Sequence, residues 1–290
     1  MNNNSNIKIL AKNGKSFYFA GCFLPKQQLS AIADLYAFCR YVDDCADELN
    51  PIEAKLEISK IKAILHDPNI NNSTQEKIKL LESKGIQRKH LLDLIHGAEW
   101  DALQKPILNE QQLDHYCYCV AGVVGLMMNP LMKITDPAAH EHAIALGKAM
   151  QITNICRDIL EDALKLRVYL PENKIKEANL TLEQLQKNGP TPNQLKHLVY
   201  EYLMLAENLY KTGFQGLAYI PLRCRFVILL AGQLYRHIGL KIIRNDCDVL
   251  KGRFYLNWTE KILILFKILP LTLKPSFWLT RKQQAIEVSL

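Results

Sequence analysis

Residues 32–48 read IADLYAFCRYVDDCADE and residues 149–163 read AMQITNICRDILEDA, and between them these stretches decide the fold class. In the first, Tyr36, Arg40, Asp43 and Asp47 follow one another at spacings of four, three and four, which puts them on one face of an α-helix. Ile32, Leu35, Cys39, Val42, Ala46 and Leu49 make a second, apolar stripe suited to core packing. In the second stretch Gln151, Asn154, Asp158 and Asp162 are spaced by three, four and four, with Ile152, Ile155, Ile159 and Ala163 between them. Each stretch predicts a helix with one oxygen-rich edge.

The same period extends outward from both. It predicts helices over 26–49, 52–65, 75–84, 88–103, 110–128, 138–166, 191–211 and 221–244. Strict alternation and hairpin turns are missing, so the fold class is all-α. Polar, proline-bearing stretches at 67–73, 129–137 and 171–192 read as loops. No Gly/Ser/Pro-rich linker divides the 290 residues, which predicts one domain over 1–290. The asparagine-rich start makes residues 1–10 a flexible segment. From Trp258 to Leu279 the apolar residues are interrupted by Lys261, Lys267, Pro270, Lys274 and Pro275, too often for a spanning helix of about 20 residues. Residues 258–290 therefore read as an amphipathic segment that covers the core or rests on a membrane surface.

Composition narrows the function. The formal charge is +7, but the basic residues are dispersed and no Lys/Arg run interleaves with aromatics, which argues against nucleic-acid binding. A spread positive excess suits an anionic small substrate or an acidic membrane surface. The eight cysteines form no CxxC pair, so neither a zinc site nor a disulfide framework is expected. With no basic region and apolar core at the N-terminus, the expected location is the cytoplasm, with peripheral contact at the inner membrane.

Two carboxylates one helical turn apart can each ligate an oxygen-loving cation, and Mg2+ completes its octahedron with water and phosphate oxygens. Two such helices face to face would clamp a diphosphate and neutralise charge on a departing pyrophosphate. A single DxxxD is ordinarily a solvated helix face; two copies, with Arg40 and Arg157 beside them and no i,i+4 lysine in the second stripe, favour the site. A third stretch, residues 116–128, YCYCVAGVVGLMM, puts Ala121, Gly122 and Gly125 where bulk would fill a helix. Glycine there costs helix stability; close helix packing explains it as well as room for a hydrocarbon chain does, with Met127 and Met128 as adaptable walls and Tyr116 at the head of the cavity.

YAFCRYVDDCADE, YCYCVAGVVGLMM and QITNICRDILEDALKLRVYLP closely resemble the three signature blocks of the squalene/phytoene synthase family, with SFYFAGCFLP and LIHGAEWDAL as supporting stretches. The resemblance runs from about Ser16 to Pro171 and more weakly to about Arg253. It implies the isoprenoid synthase fold, a helical bundle around a deep central cavity, and head-to-head coupling of two prenyl diphosphates through a cyclopropylcarbinyl diphosphate.

Within the family the blocks look most like bacterial presqualene diphosphate synthases of hopanoid pathways, which use farnesyl diphosphate. Phytoene synthases, using geranylgeranyl diphosphate, and dehydrosqualene synthases share nearly the same blocks, and cavity depth decides between them. Mg2+ is the implied cofactor, with Mn2+ as its substitute, and NADPH dependence stays open. A non-catalytic assembly factor for membrane complexes is the competing class, which loss of the aspartates would favour.

Position by position, the resemblance makes Asp43, Asp47, Asn154, Asp158 and Asp162 metal ligands and Arg40, Gln151 and Arg157 diphosphate contacts. Tyr36 and Tyr235 line the substrate site, and Tyr116 steers the cation or assists proton removal. Ser16 and Phe17 match the family's N-terminal pattern, whereas Lys15 and Tyr18 depart from it. Arg253 is a further candidate diphosphate contact. His96 reads as a helix-face histidine rather than a base.

Overall fold

The structure is a computed structural model and describes residues 3–272. Helices account for about three quarters of it, and no strand occurs among the described residues. In chain order these are α1 (Asn3–Asn13), α2 (Lys15–Gly21), α3 (Lys26–Asp47), α4 (Pro51–His66), α5 (Ser73–Ser83), α6 (Arg88–Ala102) and α7 (Glu110–Cys117). They continue with α8 (Val123–Leu131), α9 (Ala139–Arg157), α10 (Ile159–Leu164), α11 (Glu172–Glu177), α12 (Leu182–Gln186), α13 (Asn193–Gln215), α14 (Leu222–Arg244) and α15 (Trp258–Thr272).

Local chemistry sets the starts. Asn50, Asn72 and Asn109 cap α4, α5 and α7 through their side chains, each accepting first-turn backbone N–H groups. Thr181 and Gln184 form a capping box on α12. Pro25, Pro171, Pro192 and Pro221 stand immediately before α3, α11, α13 and α14, where a fixed φ and a missing N–H do no harm.

Four expectations change. The N-terminal segment is helical from Asn3, because Leu10 is buried and Asn6 Nδ2 donates to Asp34 Oδ1 at 2.6 Å. The helix expected over 138–166 breaks at Asp158, with φ −104° and ψ 12°. The helix expected over 110–128 carries a π-helical turn at Tyr118–Gly122, a device that recurs at functional sites. The expected loops at 129–137 and 171–192 begin with the last turn of α8 and contain α11 and α12, respectively. As for the amphipathic segment, residues 258–272 form α15, and residues 273–290 lie outside the described residues.

The core falls into two clusters. One joins α9, α13 and α14 through Ile152, Val199, Leu230 and Ile242; the other joins α3, α4, α6 and α8 through Phe38, Ile61, Ile95 and Met127. Each large buried apolar side chain contributes about 1.5–3 kcal/mol of transfer free energy. α14 is long and apolar enough to cross a membrane by composition, but it packs on α2, α9, α13 and α15 as a core helix.

Glycines hold the centre together. A Cβ on Gly125 would stand 2.2 Å from the Ala143 carbonyl oxygen, and one on Gly147 2.3 Å from that of Ala121. The antiparallel α8 and α9 thus meet backbone to backbone, and close packing is the first reason for the small residues. Ala121, Gly125 and Gly147 also face the central cavity, so the space reading holds too.

Candidate active site

The two polar stripes come together at one end of the bundle. α3 supplies Tyr36, Arg40, Asp43 and Asp47; α9 supplies Gln151 and Asn154; Asp158 sits at the break and Asp162 on α10. The break keeps the i,i+4 spacing, since Asp158 N donates to Asn154 O at 2.9 Å and Asp162 N to Asp158 O at 2.8 Å. α10 then closes in a Schellman arrangement, with Leu166 N on Ala163 O and Arg167 N on Asp162 O, both 2.9 Å. Leu166 takes φ 61° there, a left-handed conformation that costs a non-glycine residue roughly 1–2 kcal/mol. The turn sends Arg167 back to α3, where it pairs with Asp47 and donates to Ala46 O at 3.0 Å.

The acidic groups crowd one another. Burial, then Asp158, Glu161 and Asp47, raise the Asp162 carboxyl to about 7. Protein packed around the rim displaces water from Asp43, and with Asp47 this raises its carboxyl to about 6, although the side chain still opens to solvent. Arginines offset part of the charge. Arg40 reaches Asp44 at 2.5 Å and Asp43 at 3.4 Å; Arg157 grips Asp158 at 2.8 and 2.5 Å; Arg253 approaches Asp158 at 3.0 Å and Glu161 at 3.1 Å. Such guanidinium groups suit bidentate contact with phosphate oxygens.

Asn154 supplies the test of whether a cation fits. Its Oδ1 is buried without a partner while its Nδ2 faces Gln151 Oε1 at 3.4 Å, so a buried acceptor is left for a ligand. Among the described residues no three His, Cys, Asp or Glu side chains converge tightly enough to hold an ion alone. Mg2+ takes one or two carboxylates and fills its shell with water and substrate phosphate. The oxygen donors Asp43, Asp47, Asn154, Asp158 and Asp162 fit that requirement.

Behind the stripes lies a cavity of about 310 Å³ with an overwhelmingly apolar wall. Tyr36, Gln151, Asn154 and Tyr235 line its polar end. Phe17 on α2 stacks on Tyr235 with ring centroids 4.8 Å apart, and Ser16 sits half-buried one residue earlier without reaching the wall. Met128 lines the cavity as expected, whereas Met127 is buried in the α3–α4–α6–α8 cluster. The wall runs along α9 from Asn154 to Ala139, a span of about 22 Å at 1.5 Å per residue.

Tyr116 requires a correction. It does not line that cavity but lies behind its wall, 3% exposed, where its hydroxyl donates to both Asp101 oxygens at 3.1 Å. Tyr169 donates to Asp101 Oδ1 at 2.8 Å and stacks on Tyr116 at 5.2 Å. Burial raises the Asp101 carboxyl to about 7 despite these donors. His96 is exposed on α6, as a helix-face residue should be.

Sequence reading missed Arg167, Asp101 and Tyr169. The signal was there in part: Arg167 and Tyr169 lie in the LKLRVYLP end of the third block, and Asp101 in LIHGAEWDAL. What no spacing rule supplies is that these distant segments meet.

Comparison with known proteins agrees with this geometry. Residues 10–260 match the family model described as squalene/phytoene synthase. The 4,4'-diapophytoene synthase of Staphylococcus haemolyticus is 32% identical over 88% of this chain and 91% of its own length. The phytoene synthase of Cereibacter sphaeroides is 29% identical over 86% of this chain and 74% of its own. A crystal structure of a dehydrosqualene synthase in complex with ligand superposes with a TM-score of 0.82 at 28% identity, covering 93% of this chain and 95% of that one.

Proposed function

Because the chain belongs to the squalene/phytoene synthase family, a group of prenyltransferase-type enzymes, we propose that it couples two geranylgeranyl diphosphates head to head to a phytoene-type hydrocarbon, releasing pyrophosphate. The observation that carries the reading is the pair of oxygen-rich stripes set across the mouth of an apolar cavity whose lining on α9, from Asn154 to Ala139, spans about 22 Å. With carbon–carbon bonds of about 1.5 Å, an isoprene unit extends roughly 5 Å, so a farnesyl chain spans about 15 Å and a geranylgeranyl chain about 20 Å. The longer chain uses the whole wall. Presqualene formation from farnesyl diphosphate was the first expectation from the signature blocks; of the other readings, dehydrosqualene synthesis comes second, favoured by the likeness to the solved dehydrosqualene synthase.

Mg2+, held by Asp43 and Asp47 on one side and Asn154, Asp158 and Asp162 on the other, would supply the positive charge that stabilises departing pyrophosphate. The chain's own residues do the rest. Arg40, Gln151, Arg157 and Arg253 bind and orient diphosphate oxygens at the rim. Phe17, Tyr36 and Tyr235 present aromatic faces at the polar end, each worth about 0.5–2 kcal/mol to an allylic cation. The apolar wall keeps water from that cation until the second chain's double bond attacks it. Tyr116, off the wall, acts by holding Asp101 and Tyr169 rather than by touching substrate. All eight cysteines are free, which supports a cytoplasmic setting. The non-catalytic reading loses ground because every oxygen donor of the set is in place.

Purified protein incubated with Mg2+ and either geranylgeranyl or farnesyl diphosphate, with and without NADPH, is the test. The expected product is a phytoene-type hydrocarbon from geranylgeranyl diphosphate without NADPH. Asp43→Asn and Asp158→Asn are each expected to lower turnover by about 100-fold or more. No product from either substrate, or unchanged turnover in both variants, would overturn the reading.

A further inference from the structure

The end of the molecule formed by α2, α14 and α15 carries an exposed apolar face that the catalytic reading does not use. On α15, Lys261, Ile264 and Ile268 are buried, while Trp258, Leu263 and Phe266 are 66%, 59% and 62% exposed. A solvated helix would place polar residues on that outer side. Trp258 packs edge-on against Phe19, Phe19 against Phe23, and Phe23 against Phe226, so one aromatic chain joins α15 to α2 and α14. Contiguous exposed apolar surface of this kind marks a partner rather than water.

Charge identifies the partner. The first 33 residues contain four lysines and no Asp or Glu, and residues 208–245, which include all of α14, contain no Asp or Glu either. On α15 the one acid, Glu260, is paired with Lys241 at 2.6 Å. Lys15, Lys26, Arg223 and Lys267 are exposed along these elements. The aspartate stripes lie on other elements, α3, α9 and α10. An aromatic and aliphatic face with basic residues and no free carboxylate is complementary to anionic lipid.

The face also backs onto the cavity. In α2 and the turn after it, Ala20, Gly21 and Leu24 line the cavity while Phe19 and Phe23 belong to the outer aromatic chain; in α14, Val227 and Ile228 line it while Phe226 does not. The wall between cavity and surface is one helix thick there, and Ala20 and Gly21 add little bulk to its inner side. We propose that this face docks on the anionic surface of a bilayer, so that the thin wall lies against lipid and a hydrocarbon passes between cavity and membrane without crossing water. The docking does not depend on which prenyl chain is coupled.

The test is co-sedimentation of the full chain with phosphatidylcholine vesicles, with and without phosphatidylglycerol. The wild type is expected to bind the mixed vesicles, less so at high salt. The double variant Leu263→Ser/Phe266→Ser, altered only at exposed positions, is expected to bind at least about tenfold more weakly. Its turnover in detergent micelles should be unchanged, which also shows that it folds. Replacing Lys15 and Arg223 by Gln should remove most of the preference for phosphatidylglycerol. Failure of the wild type to bind either vesicle, equal binding by the double variant, or a wild-type dimer in sedimentation equilibrium that the double variant dissolves would overturn the proposal. The last outcome would assign the face to a second copy.

Discussion

Arg253 grips Asp158 with both arms of its guanidinium, Nε to Oδ1 at 3.0 Å and Nη2 to Oδ2 at 3.3 Å, across 95 positions of the chain. The same guanidinium reaches Glu161, and Arg157 holds Asp158 from the other side. Asp158 is thus an acid with two arginines and the orphaned Asn154 oxygen beside it, a place where cation, diphosphate and arginine can exchange partners. A hydrogen bond to a charged group is worth about 1.5–3 kcal/mol, less at a half-exposed arginine. Arg253→Gln is therefore expected to lower kcat/KM for the prenyl diphosphate about tenfold, with Arg253→Lys recovering part of it. Steady-state pyrophosphate release checks this, and an unchanged kcat/KM would remove Arg253 from the diphosphate set.

The crowded carboxyls set a pH dependence. Asp43 is raised to about 6 and Asp162 to about 7, both above the ordinary carboxylate value. A carboxyl raised in the folded state holds its proton there after the unfolded chain has lost it. Its contribution to stability is present at low pH and is lost as pH climbs through 6 and 7. A divalent cation binds the ionised form and so competes with these protons. Mg2+ is expected to bind more weakly at pH of about 5.5 than at about 8, with protons released on binding. Titration calorimetry in buffers of different ionisation enthalpy measures that release directly. Equal affinity at both pH values would show that Asp43 and Asp162 are not ligands.

α3 was legible because its two stripes obey one period and its start and end are marked by Pro25 and the Asn50–Pro51 cap of the next helix. The break at Asp158 was not, since Asp158 and Asp162 keep the spacing of an unbroken helix on either side of it. The end of α10 was hidden for a different reason: Leu166 stands where a helix ordinarily ends on glycine. Asparagines at the start of the chain suggested disorder, but the contact of Asn6 with Asp34 and the burial of Leu10 lie 28 residues away or in tertiary packing. The site's metal stripes were local and readable. Asp101 with Tyr116 and Tyr169, and Arg167 with Asp47, join segments that only folding brings together.

Backbone contact between α9 and the π-helical turn that leads into α8 predicts a sharp stability cost. A methyl on Gly147 would meet the Ala121 carbonyl oxygen at 2.3 Å, and backbone cannot move aside as a side-chain tip can. Overpacking of this kind costs about 1–3 kcal/mol or more. Gly147→Ala should lower the melting temperature by several degrees, whereas Gly189→Ala, with nothing within 4 Å of the added Cβ, should leave it within about 1 degree. Calorimetry on the two variants decides it; equal melting temperatures would mean that α9 and the π-helical turn do not meet as closely as the backbone indicates.

The length of the cavity predicts which substrate a blocked floor would spare. Ala139 opens α9 at the far end of the wall, 3% exposed and about 22 Å from Asn154. A benzyl group there would occupy the last several ångströms, the stretch that a geranylgeranyl chain uses and a farnesyl chain leaves empty. Excluding a chain end of that size is worth tenfold or more in kcat/KM, since even one methylene in an apolar pocket gives about 10–200-fold discrimination. Ala139→Phe is therefore expected to depress coupling of geranylgeranyl diphosphate at least tenfold while leaving farnesyl diphosphate within about threefold. The ratio of the two kcat/KM values is the measurement, because a general loss of folding lowers both and leaves the ratio alone. A ratio that does not move would place the ends of both chains short of Ala139, and the preference for the longer substrate would then have no basis in the span of this wall.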